Sequence, residues 1–199
     1  MSKLELAIMV LLLCLGQLAQ AAGDPARGKQ KSQVCIKCHG VGGNSTDPSI
    51  PKIQGQFAGY IVAATTEFKK GIRKNPQMEN LLGVFDKPQD LQDIAAYFSS
   101  QPIMKGKPTG SELAGEGKDL FGHARCNYCH FVEGKRFAPY ESEPPPPYIT
   151  GQHKVYLIKA IHDIRDGKRP ADPYGLMKED ISNLSDQQIE AIAEYLSGL

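Results

Sequence analysis

The chain has 199 residues and a formal net charge of +1, with 23 basic against 22 acidic side chains. That near balance does not indicate a nucleic-acid-binding protein, which usually shows a strong basic excess. Hydrophobic residues make up 41% and charged residues 23% of the chain, a composition that is typical of a folded globular protein and excludes a disordered one.

The first 21 residues have the pattern of a secretory signal peptide. Lys3 precedes an apolar run over residues 6–15, and small residues suited to cleavage follow at 19–21. The run is shorter than the roughly 20 residues that a membrane-spanning helix requires. We expect the peptide to be removed and the mature chain to be exported; the alternatives are a retained anchor and a lipoprotein attached at Cys14.

Two copies of the motif C-x-x-C-H lie in the mature chain. Two thiols one helical turn apart suit the two vinyl groups of one porphyrin, and the histidine that follows them reaches its iron. The motif residues are Cys35, Cys38 and His39 in the first copy and Cys126, Cys129 and His130 in the second. They predict two covalently bound haem c groups, each with one histidine ligand to the iron.

A single zinc site that draws on both cysteine pairs is the alternative interpretation of these motifs. Once Cys14 leaves with the signal peptide, the remaining cysteines all lie inside the motifs, so no separate disulfide framework is expected. An oxidising compartment would tend to pair such thiols unless they are bonded to haem. Each pair also carries its own histidine and lies in its own copy of a repeat, which favours haem.

The two halves of the mature chain repeat the same order of features. Residues 51–56, PKIQGQ, correspond to 147–152, PYITGQ, and IAAY in the first closing segment corresponds to IAEY in the second. Between the halves lies a segment rich in proline and glycine, which interrupts regular structure. The predicted organisation is a signal peptide at 1–21, a first domain at 22–100, a linker at 101–110 and a second domain at 111–199.

Each half predicts the same helices in chain order: one that runs into the haem motif, one in the middle and one that closes the domain. Apolar residues recur at helical spacing over 59–70 and again over 155–164. Ser185 precedes Gln188 by the spacing of a capping box at the start of the last helix. No run alternates apolar and polar residues between turn signals, so strands are not expected. The fold class is all-α, with two tandem helical domains and one haem in each.

Haem iron in an electron carrier takes a second axial ligand, and methionine is the ligand that raises its potential. Outside the signal peptide the methionines are few. Met78 and Met177 occupy equivalent places, each shortly after a proline that follows a middle helix, whereas Met104 lies in the linker. We predict Met78 and Met177 as the second ligands and a packing role for Met104.

Groups around the two haems can also be predicted from the repeat. The imidazole of a haem ligand usually donates its other N–H to a carbonyl, and Pro51 and Pro147 are candidates for that carbonyl. Arg73 and Arg169 lie in matching basic segments and suit haem propionates; a solvated surface role is the alternative.

Three further histidines, His123, His153 and His162, lie in the second half and have no counterparts in the first. We expect surface or packing roles for them. His153 and His162 are the alternative ligands of the second haem if Met177 does not bind it.

The sequence resembles the dihaem cytochromes c4, which consist of tandem class I cytochrome c domains, over essentially the whole mature chain. The marks of the resemblance are C-H-G-x-x-G-N at 38–44, the two P-x-I-x-G-Q segments, Met78 and Met177, and the I-A-x-Y sequences of the closing segments. The sequence departs from the pattern at Phe131, where glycine is usual, and in the proline-rich stretch 141–147. This departure concerns the surroundings and potential of the second haem, not its attachment.

The resemblance implies two helical domains that face each other with the haem edges near their interface. It also implies a periplasmic carrier that passes single electrons from redox protein donors to redox protein acceptors, such as a terminal oxidase. Such a protein would meet the membrane peripherally, through its partners.

A carrier is predicted rather than an enzyme, because two six-coordinate irons leave no open position for a substrate. The alternatives are a dihaem oxidoreductase, either peroxidase-like or sulfur-compound-oxidising, and an electron-supplying subunit of such an enzyme. The sequence offers no spare cysteine ligand and no clear distal acid–base pair for catalysis.

Charge is distributed unevenly between the two halves. Residues 22–104 hold 10 basic and 7 acidic side chains, a net charge of +3, and residues 105–199 hold 12 basic and 14 acidic side chains, a net charge of −2. We expect donors and acceptors to dock on different domains by complementary charge, which accelerates encounter more than it tightens binding.

Overall fold

The computed structural model describes residues 23–81, 87–130, 144–170 and 175–199. The predicted signal peptide and Phe131 lie outside these ranges, as does the first part of the proline-rich stretch. Within the described ranges every regular element is a helix and none is a strand, so the predicted all-α class is confirmed. No helix in these ranges combines the length and the apolar character needed to cross a membrane.

The first domain contains five α-helices among its described residues. The middle helix begins one residue before the predicted segment and ends one residue before its predicted end. Short 3₁₀ turns flank the helix that carries the haem motif. The helices are α1 at Pro25–Lys31, α2 at Ile36–His39, α3 at Ala58–Lys69, α4 at Pro76–Glu79 and α5 at Pro88–Ser99.

The described part of the second domain follows the same plan with four α-helices, α6 at Glu112–His123, α7 at Lys154–Arg165, α8 at Leu176–Ile181 and α9 at Asp186–Ser197. Its haem motif begins in a 3₁₀ turn, Cys126–Tyr128, instead of an α-helix. The capping box is confirmed, because the Ser185 hydroxyl accepts from the Gln188 N–H and the Gln188 side chain accepts from the Ser185 N–H.

In each domain the first helix crosses the last: α1 packs on α5, and α6 packs on α9. Glycine lies at both crossings. A Cβ atom at Gly28 would lie 1.9 Å from the carbonyl oxygen of Asp93, and one at Gly117 would lie 1.9 Å from that of Ala191. Both contacts are far inside van der Waals distance, so the backbones approach this closely only because these residues lack a side chain.

A buried carboxylate reinforces the crossing in the first domain. Asp93 is fully buried and accepts hydrogen bonds from Arg27 Nε at 3.0 Å, Lys31 Nζ at 2.7 Å, Gln89 Nε2 at 3.0 Å and the Asp24 N–H at 2.9 Å. The hydrogen bond from Arg27, helped by the other donors, holds the pKa of Asp93 well below its usual range.

The second domain has Ala191 at the position equivalent to Asp93, so this carboxylate is missing from its crossing. Each domain encloses its own apolar core of helix side chains. Ile94 and Phe98 of α5 are among the most buried side chains of the first core. Ile189 and Leu196 of α9 are among the most buried side chains of the second.

The linker has no helix, as its prolines and glycines predict, but it is packed against the second domain. The Gly106 N–H donates to the carbonyl of Leu199 at 2.5 Å. Met104 is 2% exposed, and its sulfur accepts a hydrogen bond from the Gln152 side chain at 3.4 Å. The predicted packing role of Met104 is confirmed, and it fixes the linker at the contact between the two domains.

Candidate haem sites

One continuous cavity of about 310 Å³ lies between the two domains, and its walls are mainly apolar. Its volume falls in the range of pockets that hold cofactors. The structure places seven of the eight predicted site residues on its walls: Cys35, Cys38, His39, Met78, Cys126, His130 and Met177. The eighth, Cys129, is half-buried and does not line the cavity.

The two motif histidines are held in one defined orientation. Nδ1 of His39 donates to the carbonyl of Pro51 at 2.8 Å, and Nδ1 of His130 donates to that of Pro147 at 2.9 Å, so both proline assignments are confirmed. Because a carbonyl oxygen can only accept, the proton lies on Nδ1 and the lone pair lies on Nε2. Burial lowers the pKa of both imidazoles, which keeps them neutral and able to bind a metal through Nε2.

Short helices deliver the two methionines to the cavity. The side chain of Asn75 caps α4 by accepting from the N–H groups of Gln77 and Met78, which anchors Met78 in the first turn. In the second domain Gly175 adopts a left-handed conformation, with φ of 72°, and Met177 follows as the second residue of α8. Both methionines are half-buried, and both line the cavity.

The other predicted ligand arrangements are not formed. Among the described residues, which include all four motif cysteines, no three His, Cys, Asp or Glu side chains are grouped as a metal site would require. Neither His153 nor His162 lines the cavity. His153 Nε2 instead bonds the carbonyl of Ser45 at 2.9 Å across the domain interface. His162 Nε2 lies 3.4 Å from Asp186, away from both sites.

Two arginines on the cavity wall cross from one domain to the other. Arg73 donates to the hydroxyl of Tyr156 at 2.9 Å, and Arg169 donates to that of Tyr60 at 2.7 Å. Burial alone raises the pKa of Tyr156, but the two guanidinium groups outweigh it and lower that pKa to about 8. The pairs place two guanidinium groups on the wall of the cavity.

The residues present fit a haem in each domain. Each site has a neutral imidazole and a thioether suited to bind iron, and motif cysteines suited to attach the porphyrin; Cys35, Cys38 and Cys126 line the cavity, whereas Cys129 does not. The Nε of Arg169 is buried and has no hydrogen-bond partner among the described residues, although it lies on the cavity wall. A buried guanidinium N–H without an acceptor suits a carboxylate such as a haem propionate.

Comparison with known proteins agrees with this geometry. The Cytochrome c family model matches residues 25–102 and 114–199. Cytochrome c4 of Pseudomonas aeruginosa is 38% identical over 207 residues that cover 100% of both chains. Cytochrome c4 of Azotobacter vinelandii is 36% identical and covers 97% of this chain and 98% of its own. The chain belongs to the cytochrome c4 family.

The structural comparison extends this assignment to the arrangement of the domains. The crystal structure of reduced recombinant cytochrome c4 from Pseudomonas stutzeri matches with a TM-score of 0.76 and 34% identity, and covers 89% of this chain and 100% of that one. The protein is therefore a dihaem electron carrier with two tandem cytochrome c domains and a covalent haem c in each. It is not an enzyme.

The residues that join the two domains are not indicated by any motif in the sequence. Gln56 corresponds to Gln152 in the repeat, and Tyr60 and Tyr156 each follow four residues later, but the repeat indicates no role for them. Their partners lie in the opposite domain, 83 to 109 residues away in the chain. The sequence pattern that could have indicated these interface residues is the recurrence of the same polar residue types at the same places in both halves.

Proposed function

We propose that each domain binds one haem iron between a histidine and a methionine and attaches the porphyrin through its two motif cysteines. Such a haem supplies a one-electron couple between ferric and ferrous iron. The residues assigned to the first haem are Cys35, Cys38, His39 and Met78, and those assigned to the second are Cys126, Cys129, His130 and Met177.

The single observation that carries the proposal is the continuous cavity lined by the histidine and the methionine of both sites. Since both sets face one space between the domains, an electron can pass between the two centres inside the protein. The mainly apolar walls disfavour bound water, which limits reorganisation when the charge of a site changes. The neutral imidazoles of His39 and His130 stay oriented by their proline carbonyls throughout.

We further propose a periplasmic location for the mature chain, which the signal-peptide pattern of residues 1–21 supports. The proposed domain boundaries remain 22–100 and 111–199, with the linker between them. In this location the protein accepts electrons from redox protein donors and delivers them to a terminal oxidase. Its net charges of +3 and −2 on the two halves favour different docking domains for the two kinds of partner.

The test uses the purified periplasmic protein, with its N-terminus sequenced to locate the cleavage site. The reduced protein is mixed with membranes that contain an active terminal oxidase, and its reoxidation is followed at several salt concentrations. We expect an N-terminus at residue 22 and fast reoxidation whose salt dependence differs in sign or slope from that of reduction by a donor. No reoxidation by any oxidase, or identical salt dependences for donor and acceptor, would contradict the proposal.

A further inference from the structure

The side chain of Gln56 spans the domain interface and pairs with the backbone of one residue in the other domain. Its Oε1 accepts from the N–H of Tyr148 at 2.9 Å, and its Nε2 donates to the carbonyl of the same residue at 2.9 Å. Gln56 is 3% exposed, and its Oε1 also accepts from the N–H of Phe57 at 3.0 Å. The amide is therefore held through both its oxygen and its nitrogen at this contact.

Gln152 makes the same contact in the opposite direction. Its Oε1 accepts from the N–H of Lys52 at 2.9 Å, and its Nε2 donates to the carbonyl of Lys52 at 2.8 Å. The N–H of His153 holds its Oε1 at 3.0 Å, as Phe57 does in the first domain. The two glutamines are thus related by the internal repeat, and each forms two hydrogen bonds with the backbone of one residue in the other domain.

The two residues bound in this way, Tyr148 and Lys52, directly follow the prolines whose carbonyls orient the histidines. The N–H of Tyr148 and the carbonyl of Pro147 belong to one planar peptide group, and that carbonyl accepts from His130 Nδ1. Likewise the N–H of Lys52 shares a peptide group with the carbonyl of Pro51, which accepts from His39 Nδ1. Each glutamine oxygen therefore lies at one end of a hydrogen-bonded peptide whose other end holds an imidazole.

Two physical effects run along this chain of hydrogen bonds. The peptide plane is rigid, so fixing its N–H also fixes the direction of its carbonyl. A hydrogen bond accepted from the N–H polarises the peptide and makes its carbonyl a stronger acceptor. A stronger acceptor at Nδ1 in turn makes an imidazole a more basic ligand.

We propose that Gln56 is a positioning residue for His130 and Gln152 is a positioning residue for His39. Each domain thereby tunes the axial ligand, and so the reduction potential, of the haem in the other domain. The inference rests on the proposed assignment of His39 and His130 as iron ligands.

The direction of the effect follows from the ligand chemistry. Loss of a glutamine frees the peptide plane and weakens the hydrogen bond at Nδ1 of the histidine in the opposite domain. The less basic imidazole stabilises ferric iron less, so the potential of that haem rises. Removing Gln56 acts on the second haem and removing Gln152 acts on the first.

The experiment compares Gln56→Leu, Gln152→Leu and the unaltered protein, all carrying both haems. The potential of each haem is measured by titration with spectra that resolve the two, and backbone amide exchange is measured at residues 52 and 148. We expect Gln56→Leu to shift the reduction equilibrium of the second haem a few fold toward ferrous iron and to speed exchange at Tyr148. Gln152→Leu does the same for the first haem and for Lys52.

Gln101→Leu is the matched control, because the Nε2 of Gln101 donates to the carbonyl of Tyr97, four residues earlier in the chain, at 3.0 Å and not to the second domain. It should move neither potential. The inference would be overturned by equal shifts in the potentials of both haems, or by a shift confined to the haem of the mutated domain. Faster amide exchange without a shift in either potential would also overturn it.

Hyperfine-shifted ring signals of His39 and His130 in the oxidised unaltered protein separate this inference from the ligand assignment. Absence of those signals would overturn the assignment and the inference with it. Their presence without the crossed shifts would overturn the inference alone.

Discussion

Met78 and Met177 show how a single residue type becomes informative when the sequence repeats. A methionine by itself is more often core filler than a ligand. Here the two methionines take equivalent places in the two halves, and the structure places both on the wall of the shared cavity. Met104 lies instead in the linker, buried against Gln152.

Substitution of each methionine by leucine should affect one haem only. Leucine fills a similar volume, so the fold is retained, but it removes the thioether ligand. Met78→Leu should abolish the methionine charge-transfer band of the first oxidised haem. It should also lower the potential of that haem, because methionine ligation raises the potential. Met177→Leu should have the same two effects on the second haem. Oxidised spectra of each haem check this.

Met104→Leu is the control and should leave both charge-transfer bands in place. Loss of a band in this variant, or its survival in Met78→Leu or Met177→Leu, would show that the ligand assignment is wrong.

Asp93 makes the stability of the first domain depend on pH. Its pKa is depressed in the folded protein from an unfolded value of about 3.9. The stabilisation is therefore present in full above that unfolded value and is lost as the pH falls through the acid range. Asp93→Asn should lower the free energy of unfolding at pH 7 by about 1.5–3 kcal/mol. Denaturant unfolding at pH 7 and pH 3 should show this difference shrinking in acid.

Asp186→Asn provides the comparison, because Asp186 also pairs with an arginine, Arg165, but its side chain is 72% exposed. Exposed ion pairs contribute about 0–1 kcal/mol, so little change is expected at either pH. A deficit for Asp93→Asn that is equally large at both pH values would contradict the account.

Residues differ in how far the sequence predicts their roles. The proposed role of Cys35, Cys38 and His39 is predicted by a local motif, because the attachment of one porphyrin requires these residue types close together in the chain. Gln56 and Asp93 act on partners 92 and 66 residues away, and nothing near them in the chain indicates those partners. Their roles depend on packing, which only the folded structure supplies.

At the level of elements, the crossing of the first and last helices fixes the shape of each domain. Helical periodicity predicted the middle helices to within one residue at each end, because that signal is local. The crossings were not predicted. They depend on Gly28 and Gly117, which meet backbone atoms of helices far along the chain.

Two glycines of α6 test the crossing directly. A Cβ at Gly117 would meet the carbonyl of Ala191, whereas one at Gly115 would meet nothing within 4 Å. Gly117→Ala should destabilise the second domain by about 1–3 kcal/mol or more, because the helices must separate. Gly115→Ala should be neutral or stabilising by up to about 1 kcal/mol, since alanine favours the helix. Denaturant midpoints that fall equally in both variants would argue against the close crossing.

For the whole molecule, the repeat predicted two domains but not the surfaces through which they meet. The contact contains two reciprocal hydrogen bonds, in each of which an arginine of one domain donates to a tyrosine hydroxyl of the other. The pairs are Arg73 with Tyr156, and Arg169 with Tyr60. Phe57 stacks on Tyr148 with ring centroids 4.2 Å apart and adds apolar contact to this polar interface. The result is one cavity shared by two ligand sets rather than two isolated sites.

The central claim is that both centres are six-coordinate and carry electrons without binding a substrate. A potentiometric titration of the protein with both haems, followed by spectra of each haem and repeated with carbon monoxide at near-stoichiometric concentration, tests it most directly. We predict two one-electron transitions, low-spin spectra with a methionine band for both oxidised haems, and no change on adding carbon monoxide. A high-spin haem that binds carbon monoxide under these conditions would contradict the account.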